Sequence, residues 1–313
     1  MLETKQLKIL LTVVEAGGFT RAGQRLGLSQ PAISQQVRLL ERNLGVELLL
    51  RGGGTVRPTP AGEVLIECAR QVLDRLDDVT RFIGDNSDGA AGVLRLGAPE
   101  PACIHLVPHL LVAARTQMPR TEIRITSGQP EETLRAVQDG ALDIALLPLP
   151  VSAPQLRIAE VGRDELVAAV LPSHPWADQR RITATAFADE PLVLYDRRSP
   201  ITERTLRFLL DEGVFPKVSV EIHHLEAVKQ MVIVGLGVAV LPWWSIRREV
   251  ELGLLRSIRL GRHGLTRSWG LVHPERQMPA MRLRAFGRLC DEVLPPLLAP
   301  AVDSGFASVQ QNG

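Results

Sequence analysis

The sequence predicts an α/β protein in three parts: an N-terminal winged helix-turn-helix, a long linker helix and a two-lobed α/β domain. Three observations predict this order. Two helical patterns flank a glycine turn within the first 45 residues, residues 63–83 contain neither proline nor glycine, and strand and helix patterns alternate from residue 92 onward. A length of 313 residues with 45% hydrophobic residues suits two or three globular domains.

The amphipathic helix Ser29–Arg42 is the N-terminal segment best suited to contact another molecule. Ser29 is a good N-cap, and Pro31 fits the first turn, where a missing N–H costs nothing. The apolar residues recur at three- and four-residue spacing: Ile33, Val37, Leu40 and Leu44. The opposite face is polar and mostly uncharged: Gln30, Ser34, Gln35 and Arg38. This second face offers hydrogen bonds to a partner.

Two upstream helices lead into this segment. The first covers Lys5–Glu15 and stops at Gly17. The second runs from Thr20 through Leu26, and Gly27 then turns the chain into the Ser29 helix. Two short helices joined by a glycine turn form a helix-turn-helix, whose second helix enters the major groove of DNA.

A two-stranded wing follows. Its predicted strands, Val46–Leu50 and Thr55–Arg57, flank a glycine-rich tip over residues 51–54. Residues 1–60 carry eight Lys or Arg against four Asp or Glu, a net charge of +4, so −3 remains for the rest of a chain whose total is +1. A basic head on a faintly acidic body favours a polyanion partner for the head alone.

We therefore predict that the head binds DNA. Amides of the Ser29 helix would read base edges in the major groove, while Thr20 and the arginines hold phosphates. For each residue, the alternative is a position near the duplex without a contact. The predicted DNA-binding residues are Thr20, Arg21, Ser29, Gln30, Pro31, Ser34, Gln35, Arg38, Arg51 and Arg57.

The next segment predicts a linker helix. Thr59 caps it, Pro60 occupies its first turn and Glu63 supports its positive end. Its apolar stripe comprises Leu65, Cys68, Val72, Leu76, Val79 and Ile83. The stripe favours packing against a second copy of the chain, and the alternative is packing on its own domain. A hinge is predicted at Asp85–Gly89.

From Gly92 onward the pattern predicts a parallel sheet with helices on both faces. The predicted strands are Val93–Gly97, Glu122–Thr126, Asp143–Leu147, Leu166–Leu171, Leu192–Tyr195, Lys217–Ile222, Val238–Leu241 and Ser268–His273. The predicted helices are Ile104–Thr116, Glu131–Asp139, Glu203–Asp211, Leu225–Val234 and Met278–Leu294. The pattern repeats, which indicates two lobes, and we expect the chain to cross between them near Gly162 and Arg267.

Polar residues after these strands predict a ligand site between the lobes, because ligands bind at the carboxyl ends of strands in such sheets. The candidates are Pro99, Glu100, Pro101, Ser127, Gln129, Pro148, Tyr195, Arg198, His223 and His224. Helix starts near Ile104, Glu131, Thr202 and Leu225 would add positive potential and favour a small anion, which Glu100 would oppose. Alternatively, Arg198 is a solvated surface charge and one of the two histidines has no ligand role.

The run AGGFTRAGQRLGLSQPAISQQVRLLERNLGVELLLRGGGTVRPTPAGEVL resembles the N-terminal segment of LysR-type transcriptional regulators, and a looser resemblance covers nearly the whole chain. Its most specific pieces are SQPAIS, Leu40-Glu41, Leu44-Gly45 and the TPAG of Thr59–Gly62. Three departures are small: Gly23 replaces a second alanine, Leu50 replaces Phe, and Gln35 replaces the Arg of many members. Because Gln35 bears on base readout, the operator sequence is not transferable.

The resemblance implies a dimer or homotetramer that regulates promoter DNA, more often as an activator working with RNA polymerase. It also implies a type II periplasmic-binding-protein-like effector domain that holds a small molecule between its lobes, and no cofactor. The implied domains are a winged helix-turn-helix over 1–58, a linker helix and hinge over 59–88, an effector domain over 89–301 and a flexible tail over 302–313. Lobe I would take about 89–162 and 268–301, and lobe II about 163–267.

Other classes of protein find little support. No run approaches the roughly 20 apolar residues of a membrane span, and no signal peptide is recognisable, so a cytoplasmic protein is expected. The three cysteines have no metal-site spacing. We find no G-x-S-x-G, H-E-x-x-H or P-loop motif. The alternative is an enzyme or solute-binding protein with an appended DNA-binding head. Catalysis or solute binding by itself does not require residues 1–60, whereas a regulator does.

Overall fold

A computed structural model describes residues 2–52, 55–84, 92–152, 154–275 and 281–299. The chain divides into two compact units, Met1–Gly92 and Val93–Gly313. The predicted hinge at Asp85–Gly89, the tail over 302–313 and the first residues of the predicted Met278–Leu294 helix lie outside the described residues.

The first unit has four helices and a two-stranded ribbon among its described residues. They are α1 Thr4–Glu15, α2 Phe19–Leu26, α3 Gln30–Leu44, β1 Leu49–Gly52, β2 Thr55–Pro58 and α4 Pro60–Gly84. Apolar faces of α1 and α3 form the core, where Leu10, Ile33 and Leu40 are fully buried. The apolar periodicity of the sequence therefore places these helices correctly, to within a few residues.

The wing starts later than predicted. The predicted first strand began at Val46, but Gly45 takes a left-handed conformation with φ of 71° and ends α3. The Glu41 carboxylate then accepts the N–H groups of Leu48 and Leu49, at 3.0 and 3.3 Å. The ladder between β1 and β2 consequently begins at Leu49, which pairs with Pro58.

Thr59 and Gly62 fix the start of α4 against the wing. The Thr59 hydroxyl donates to the Glu47 carbonyl at 2.7 Å and accepts the Gly62 N–H at 3.0 Å, as an N-cap does. A Cβ on Gly62 would overlap the Leu48 carbonyl oxygen. The helix can approach the wing this closely only because residue 62 has no side chain.

The described part of the second unit contains an eight-stranded mixed sheet and a separate sheet of two strands. Its strands are β3 Gly92–Ala98, β4 Thr121–Ser127, β5 Ile144–Pro148, β6 Leu156–Val170, β7 Arg181–Ile182, β8 Pro191–Tyr195, β9 Lys217–Ile222, β10 Ala239–Pro242, β11 Arg256–Leu260 and β12 Leu265–Pro274. Its α-helices are α5 Glu100–His105, α6 Val107–Gln117, α7 Pro130–Gln138, α8 Pro200–Leu210, α9 Leu225–Ile233, α10 Trp243–Glu251 and α11 Met281–Leu298.

The prediction of a parallel sheet is only partly right. β3 pairs with β5 and β8 pairs with β9 in parallel, as βαβ units require. However, β12 is antiparallel to both β5 and β6, and β10 and β11 are antiparallel to β6. The order β4-β3-β5-β12-β6-β11-β7 forms one path, with β10 also on β6.

Two long strands join two hydrophobic cores. We call lobe I the region around the core with Leu96, Leu110 and Phe286, and lobe II the region around the core with Phe187 and Val228. β6 and β12 pair from Leu166–Leu265 to Leu156–Pro274, with one register shift at Trp269/Gly270. They run along both lobes, so the lobes share a continuous hydrogen-bonded ladder.

Several predicted boundaries are corrected. The predicted Ile104–Thr116 helix is divided into two helices. The first, α5, starts earlier than predicted, at Glu100, and the second, α6, starts at Val107; each has proline in its first turn. The helix start predicted near Thr202 falls at Pro200. The sequence prediction missed β7, α10 and β11. The C-terminal helix continues to Leu298 through Pro295 and Pro296, beyond the predicted end at Leu294.

We expect Gly62→Ala to destabilise the first unit by about 1–3 kcal/mol, because the added methyl group forces α4 away from the Leu48 carbonyl. This loss should exceed the gain of roughly 1 kcal/mol from the helix propensity of alanine. Urea unfolding of the full chain measures it. The control, Arg70→Ala at an exposed position of the same helix, should stay within about 0.5 kcal/mol, and equal stabilities would contradict the prediction.

Candidate nucleic-acid interface and effector cleft

The polar face of α3 lies open. Gln30, Pro31, Gln35 and Arg38 are exposed and Ser34 is half-buried, whereas Ile33 and Val37 on the other face are buried. These five polar-face residues border one groove, together with Glu41, Arg42, Gly45, Val46 and Glu47. Half of the ten predicted DNA-binding residues thus meet along a single surface.

The other five predicted DNA-binding residues are outside the lining of that groove. The Ser29 hydroxyl accepts the Ala32 N–H at 3.4 Å, so it caps α3. The Arg21 guanidinium donates to the Gly17 carbonyl at 3.0 Å. Thr20 and Arg57 are exposed, and Arg51 lies in β1, with its side chain outside the described residues.

The described part of α4 leaves apolar side chains uncovered. Val64 is 73% exposed, Leu76 43% and Val72 38%. Val79 and Ile83, which complete the predicted stripe, have side chains outside the described residues. The described part of the first unit therefore leaves the apolar surface of these three side chains exposed.

At the mouth of the cleft in the second unit, hydrogen bonds to two carboxylates join the two lobes. The Glu100 carboxylate in lobe I accepts the Tyr195 hydroxyl and lies 3.4 Å from His224 Nδ1. The Gln129 amide of lobe I donates to Asp196 of lobe II at 3.3 Å. The lobes therefore contact each other directly across this site.

Asp196 is not among the ten predicted effector-binding residues, although it lies in the predicted turn, and it is a central polar residue at the mouth. Its side chain is 3% exposed, accepts the Arg198 N–H at 2.9 Å and lies 3.2 Å from His223 Nδ1. Burial alone would raise the pKa of Asp196, but these two partners lower it below its usual range. Its position directly after Tyr195, at the end of β8, was the signal in the sequence.

Tyr195 stays a hydrogen-bond donor. Burial, followed by the nearby charges of Glu100 and Asp196, raises the pKa of Tyr195 to about 12. The phenol is therefore protonated at neutral pH and can donate to Glu100, which favours the closed contact between the lobes.

Behind the mouth lies a small, partly open cavity of about 30 Å³, which holds roughly two water molecules. It is lined by Pro99, Pro101, Gln129, Pro130, Pro148, Tyr195, Ser199, Pro200, Ile201, Trp244, Arg267 and Trp269. Five of the ten predicted effector-binding residues are in this lining. Of the rest, Glu100, His223 and His224 lie at the mouth, and Ser127 and Arg198 are exposed outside it.

Trp244 and Trp269 form part of the cavity wall, and sequence reasoning missed both. The centroids of their indole rings lie 5.9 Å apart, and the rings are arranged edge to face. Trp244 is the second residue after β10, in the first turn of α10, and Trp269 lies within β12. The carboxyl-end rule would have found Trp244, whereas Trp269 faces the cavity only because of how β12 crosses the sheet.

A buried ion pair holds this wall in place. The Asp164 carboxylate of β6, which is fully buried, accepts Nε and Nη2 of Arg267 at 2.8 and 2.7 Å. It also accepts the indole N–H groups of Trp244 at 2.7 Å and Trp269 at 2.9 Å. The Arg267 guanidinium lies 5.3 Å from the centre of the Trp269 ring. All three donors converge on one carboxylate.

A second polar chain connects the lobes beside Trp244. His105 Nε2 of α5 lies 2.7 Å from Glu226 of α9. Glu226 pairs with the buried Lys229 at 2.7 Å, and Lys229 donates to Glu249 of α10 at 2.9 Å. Burial lowers the pKa of His105, although the hydrogen bond with Glu226 opposes this. A neutral imidazole thus donates to a carboxylate here.

Two kinds of site find no support in the described residues. Nowhere in the described ranges do three or more His, Cys, Asp or Glu side chains come together as metal ligands. Of the helices the structure describes, none is both long and apolar enough to cross a bilayer.

Comparison with known proteins gives two family matches. Residues 4–63 match the family described as "Bacterial regulatory helix-turn-helix protein, lysR family". Residues 87–295 match the family described as "LysR substrate binding domain". Together the two matches cover both units of the chain.

Individual proteins agree with these matches. The chain is 32% identical to the "HTH-type transcriptional regulator CbbR" of Sinorhizobium medicae over 270 residues, 86% of each chain. It is also 32% identical to a "Probable hydrogen peroxide-inducible genes activator" of Mycobacterium leprae over 237 residues, 75% of this chain and 76% of that protein.

Solved structures share the fold. The chain is similar to a Corynebacterium glutamicum OxyR C206 mutant, with a TM-score of 0.65, 25% identity and coverage of 95% of this chain and 92% of that one. Full-length CbnR complexed with its target DNA gives a TM-score of 0.73 at 23% identity, covering 92% and 99%. The predicted fold class, including the two-lobed effector domain, is confirmed.

We expect the second unit to lose stability as the pH falls from about 7 towards 5. The pKa of His105 in the folded chain lies below its ordinary value of 6.5. The unfolded chain therefore takes up this proton first, and the loss begins near pH 6.5 and ends below the lowered pKa. The groups that face His105 are Glu226, Lys229, Glu249 and Trp244.

Thermal melting across this pH range measures the effect. His105→Gln keeps a donor for Glu226 but does not titrate, so its melting temperature should change less with pH than that of the unmodified chain. The exposed His263 gives the matched control, His263→Gln, which should keep the full pH dependence. Identical pH profiles for the His105 variant and the unmodified chain would contradict the prediction.

Proposed function

Because the chain belongs to the LysR family of helix-turn-helix transcriptional regulators, we propose that it activates transcription by reading promoter DNA with α3 under control of a small molecule held between its lobes. It is a transcriptional regulator and not an enzyme. The exposed amide face of α3, whose opposite apolar face is buried in the core, is the observation that carries the proposal.

Base readout is assigned to α3 and phosphate contact to its surroundings. Amide side chains bind adenine edges well, so Gln30 and Gln35 suit the major groove. Arginines bind phosphate regardless of sequence. The proposed DNA-binding residues remain Thr20, Arg21, Ser29, Gln30, Pro31, Ser34, Gln35, Arg38, Arg51 and Arg57. A dimer would place two such helices about one turn of DNA apart.

Dimerisation is assigned to α4. Its 25 residues extend about 37 Å, and the exposed Val64, Val72 and Leu76 supply an apolar seam for a second copy. Pairs of dimers would then form a tetramer. In this scheme residues 1–58 bind DNA, 59–88 form the linker and hinge, 89–301 bind effector and 302–313 form a tail. RNA polymerase is the proposed partner and the cytoplasm the proposed location.

Effector control is assigned to the cleft. A ligand shifts the lobes only if it binds one arrangement better than the other, and a difference of about 1–3 kcal/mol gives a visible response. The proposed effector-binding residues are Pro99, Glu100, Pro101, Ser127, Gln129, Pro148, Tyr195, Arg198, His223 and His224. Activation rather than repression is supported by relatives described as activators.

Two relatives are described as probable hydrogen peroxide-inducible genes activators, but the cysteines of this chain do not favour a thiol that reacts with an oxidant. A reactive cysteine needs a lowered pKa, but burial raises the pKa of Cys103 and of the fully buried Cys290. Cys68 is exposed on α4, far along the chain from the other two. We therefore assign a non-covalent effector.

We expect Gln35→Ala to lower the preference for a selected operator over random duplex by roughly 5- to 100-fold. Arg57→Ala should weaken binding to both duplexes alike and reduce the log–log salt slope by about 1. Fluorescence anisotropy with the full chain at several salt concentrations measures both effects. Gln24→Ala, an exposed amide on α2, is the control. Equal loss of preference in the Gln35 and Arg57 variants would refute the assignment.

We expect Leu76→Glu to weaken the dimer, because it places a charge in the proposed apolar seam. Analytical ultracentrifugation should show a dissociation constant raised by about tenfold or more, since each buried charge costs at least 1.4 kcal/mol there. Arg70→Glu, at an exposed position on the opposite face of α4, is the control and should dimerise normally. Unchanged dimerisation of the Leu76 variant would place the interface elsewhere.

A further inference from the structure

We propose that the cavity between the lobes recognises a neutral, flat aromatic molecule and selects against small anions. This inference rests on the proposed function, because it takes the cavity as the effector site. It replaces the small anion expected from the sequence.

The cavity wall is apolar and rigid. Five prolines line it: Pro99, Pro101, Pro130, Pro148 and Pro200. Trp244 and Trp269 present an edge-to-face pair of indoles, and Ile201 adds an aliphatic side chain. Both indole N–H groups are bonded to Asp164, so a ligand meets mainly ring carbon. Edge-to-face and offset packing against such rings favours another flat ring.

The cation in the described lining already has a buried counter-ion. This cation is Arg267, and its guanidinium makes three hydrogen bonds to the carboxylate of Asp164, which compensates its charge. Arg198, which the sequence suggested as an anion ligand, is 79% exposed and lies outside the lining. A carboxylate in the cavity would lose its hydration without gaining an ionic partner.

The helix starts do not compensate. Proline stands in the first turn of α5, α7 and α8, as Pro101, Pro130 and Pro200. Proline has no N–H, so each helix loses a donor at the end that faces the cavity. The hydroxyl of Ser199 caps α8 by accepting the Thr202 N–H at 3.1 Å. The positive potential predicted from the starts of these three helices is therefore reduced, and α9, whose start at Leu225 has no proline, lies outside the lining.

The charge at the mouth gives an anion no net attraction. Glu100 and Asp196 stand at the entrance from opposite lobes, and the basic groups there already lie beside them: His224 Nδ1 is 3.4 Å from Glu100, and Arg198 Nε is 3.7 Å from Asp196. A neutral ligand needs no partner among these paired charges, whereas an anion has to compete with the two carboxylates for the basic groups. The polar groups that remain in the lining, the Tyr195 hydroxyl and the Gln129 amide, suit one or two neutral hydrogen bonds.

Binding of a ring must couple to movement of the lobes. The present cavity of about 30 Å³ is too small for a benzene ring. Entry requires the lobes to separate at the hydrogen bond between Tyr195 and Glu100 and at two longer contacts, Gln129–Asp196 at 3.3 Å and His224–Glu100 at 3.4 Å. A ligand of this class would therefore alter the lobe arrangement that the proposed function requires.

Probes of matched shape test the class. Benzamide and benzoate are nearly isosteric and differ in charge, benzylamine carries a positive charge, and indole is a larger neutral ring. Calorimetry and tryptophan fluorescence with the full chain should show benzamide and indole binding at least about tenfold more tightly than benzoate and benzylamine. Tighter binding of benzoate or benzylamine, or no binding of any probe, overturns the proposal.

Variants locate the site. Ile201→Phe fills the cavity and should abolish binding of the neutral probes, whereas Ile201→Val should retain it, with thermal melting as the check on folding. Glu100→Gln should narrow the difference between benzamide and benzoate severalfold, because it removes a negative charge from the mouth. Neutral-probe binding that survives Ile201→Phe overturns the proposed site.

The two proposals fail separately. Operator preference is measured without any probe, so its absence refutes the proposed function whatever the probes do. Intact operator preference combined with a preference for benzoate refutes only the ligand class.

Discussion

The buried carboxylate of Asp164 organises the second unit. Removing a partner from a buried ion pair typically costs 3–5 kcal/mol, because the remaining charge is left without compensation. Here one carboxylate accepts from Arg267 and from both indoles, so the pair fixes β6 against β12 and sets the orientation of Trp244 and Trp269 together. The shape of the effector cavity thus depends on a polar contact that the ligand does not touch.

The first unit uses a similar division between support and function. Glu41 holds the start of the wing against α3, and Thr59 and Gly62 hold the start of α4 against the wing, each through contacts with backbone groups. These residues belong to the motifs that carry the family resemblance, and the structure gives them a supporting role. The side chains of Gln30 and Gln35 remain uncommitted on the surface, which is what readout of a variable duplex requires.

Prediction from the sequence succeeded where the signal is local. Capping residues, glycine turns and apolar periodicity gave α1 to α4 nearly residue for residue, and the strands of the βαβ segments were found for the same reason. Strand direction was wrong for β12, because pairing with β6 joins residues about 100 positions apart. The helix α10 was missed since its first two residues, Trp243 and Trp244, are also favourable in strands.

The sequence by itself determined the family, the basic head and the amide-bearing face of α3, since each follows from residue type and short-range spacing. Only the tertiary structure decided that Asp196 stands at the mouth, that Arg267 is held by Asp164, and that prolines rather than N–H groups line the cavity. A charged side chain attracts a ligand much less when a counter-ion in the protein already compensates its charge. Residues 164 and 267 come into contact only when the chain folds, so no local sequence pattern predicts their ion pair.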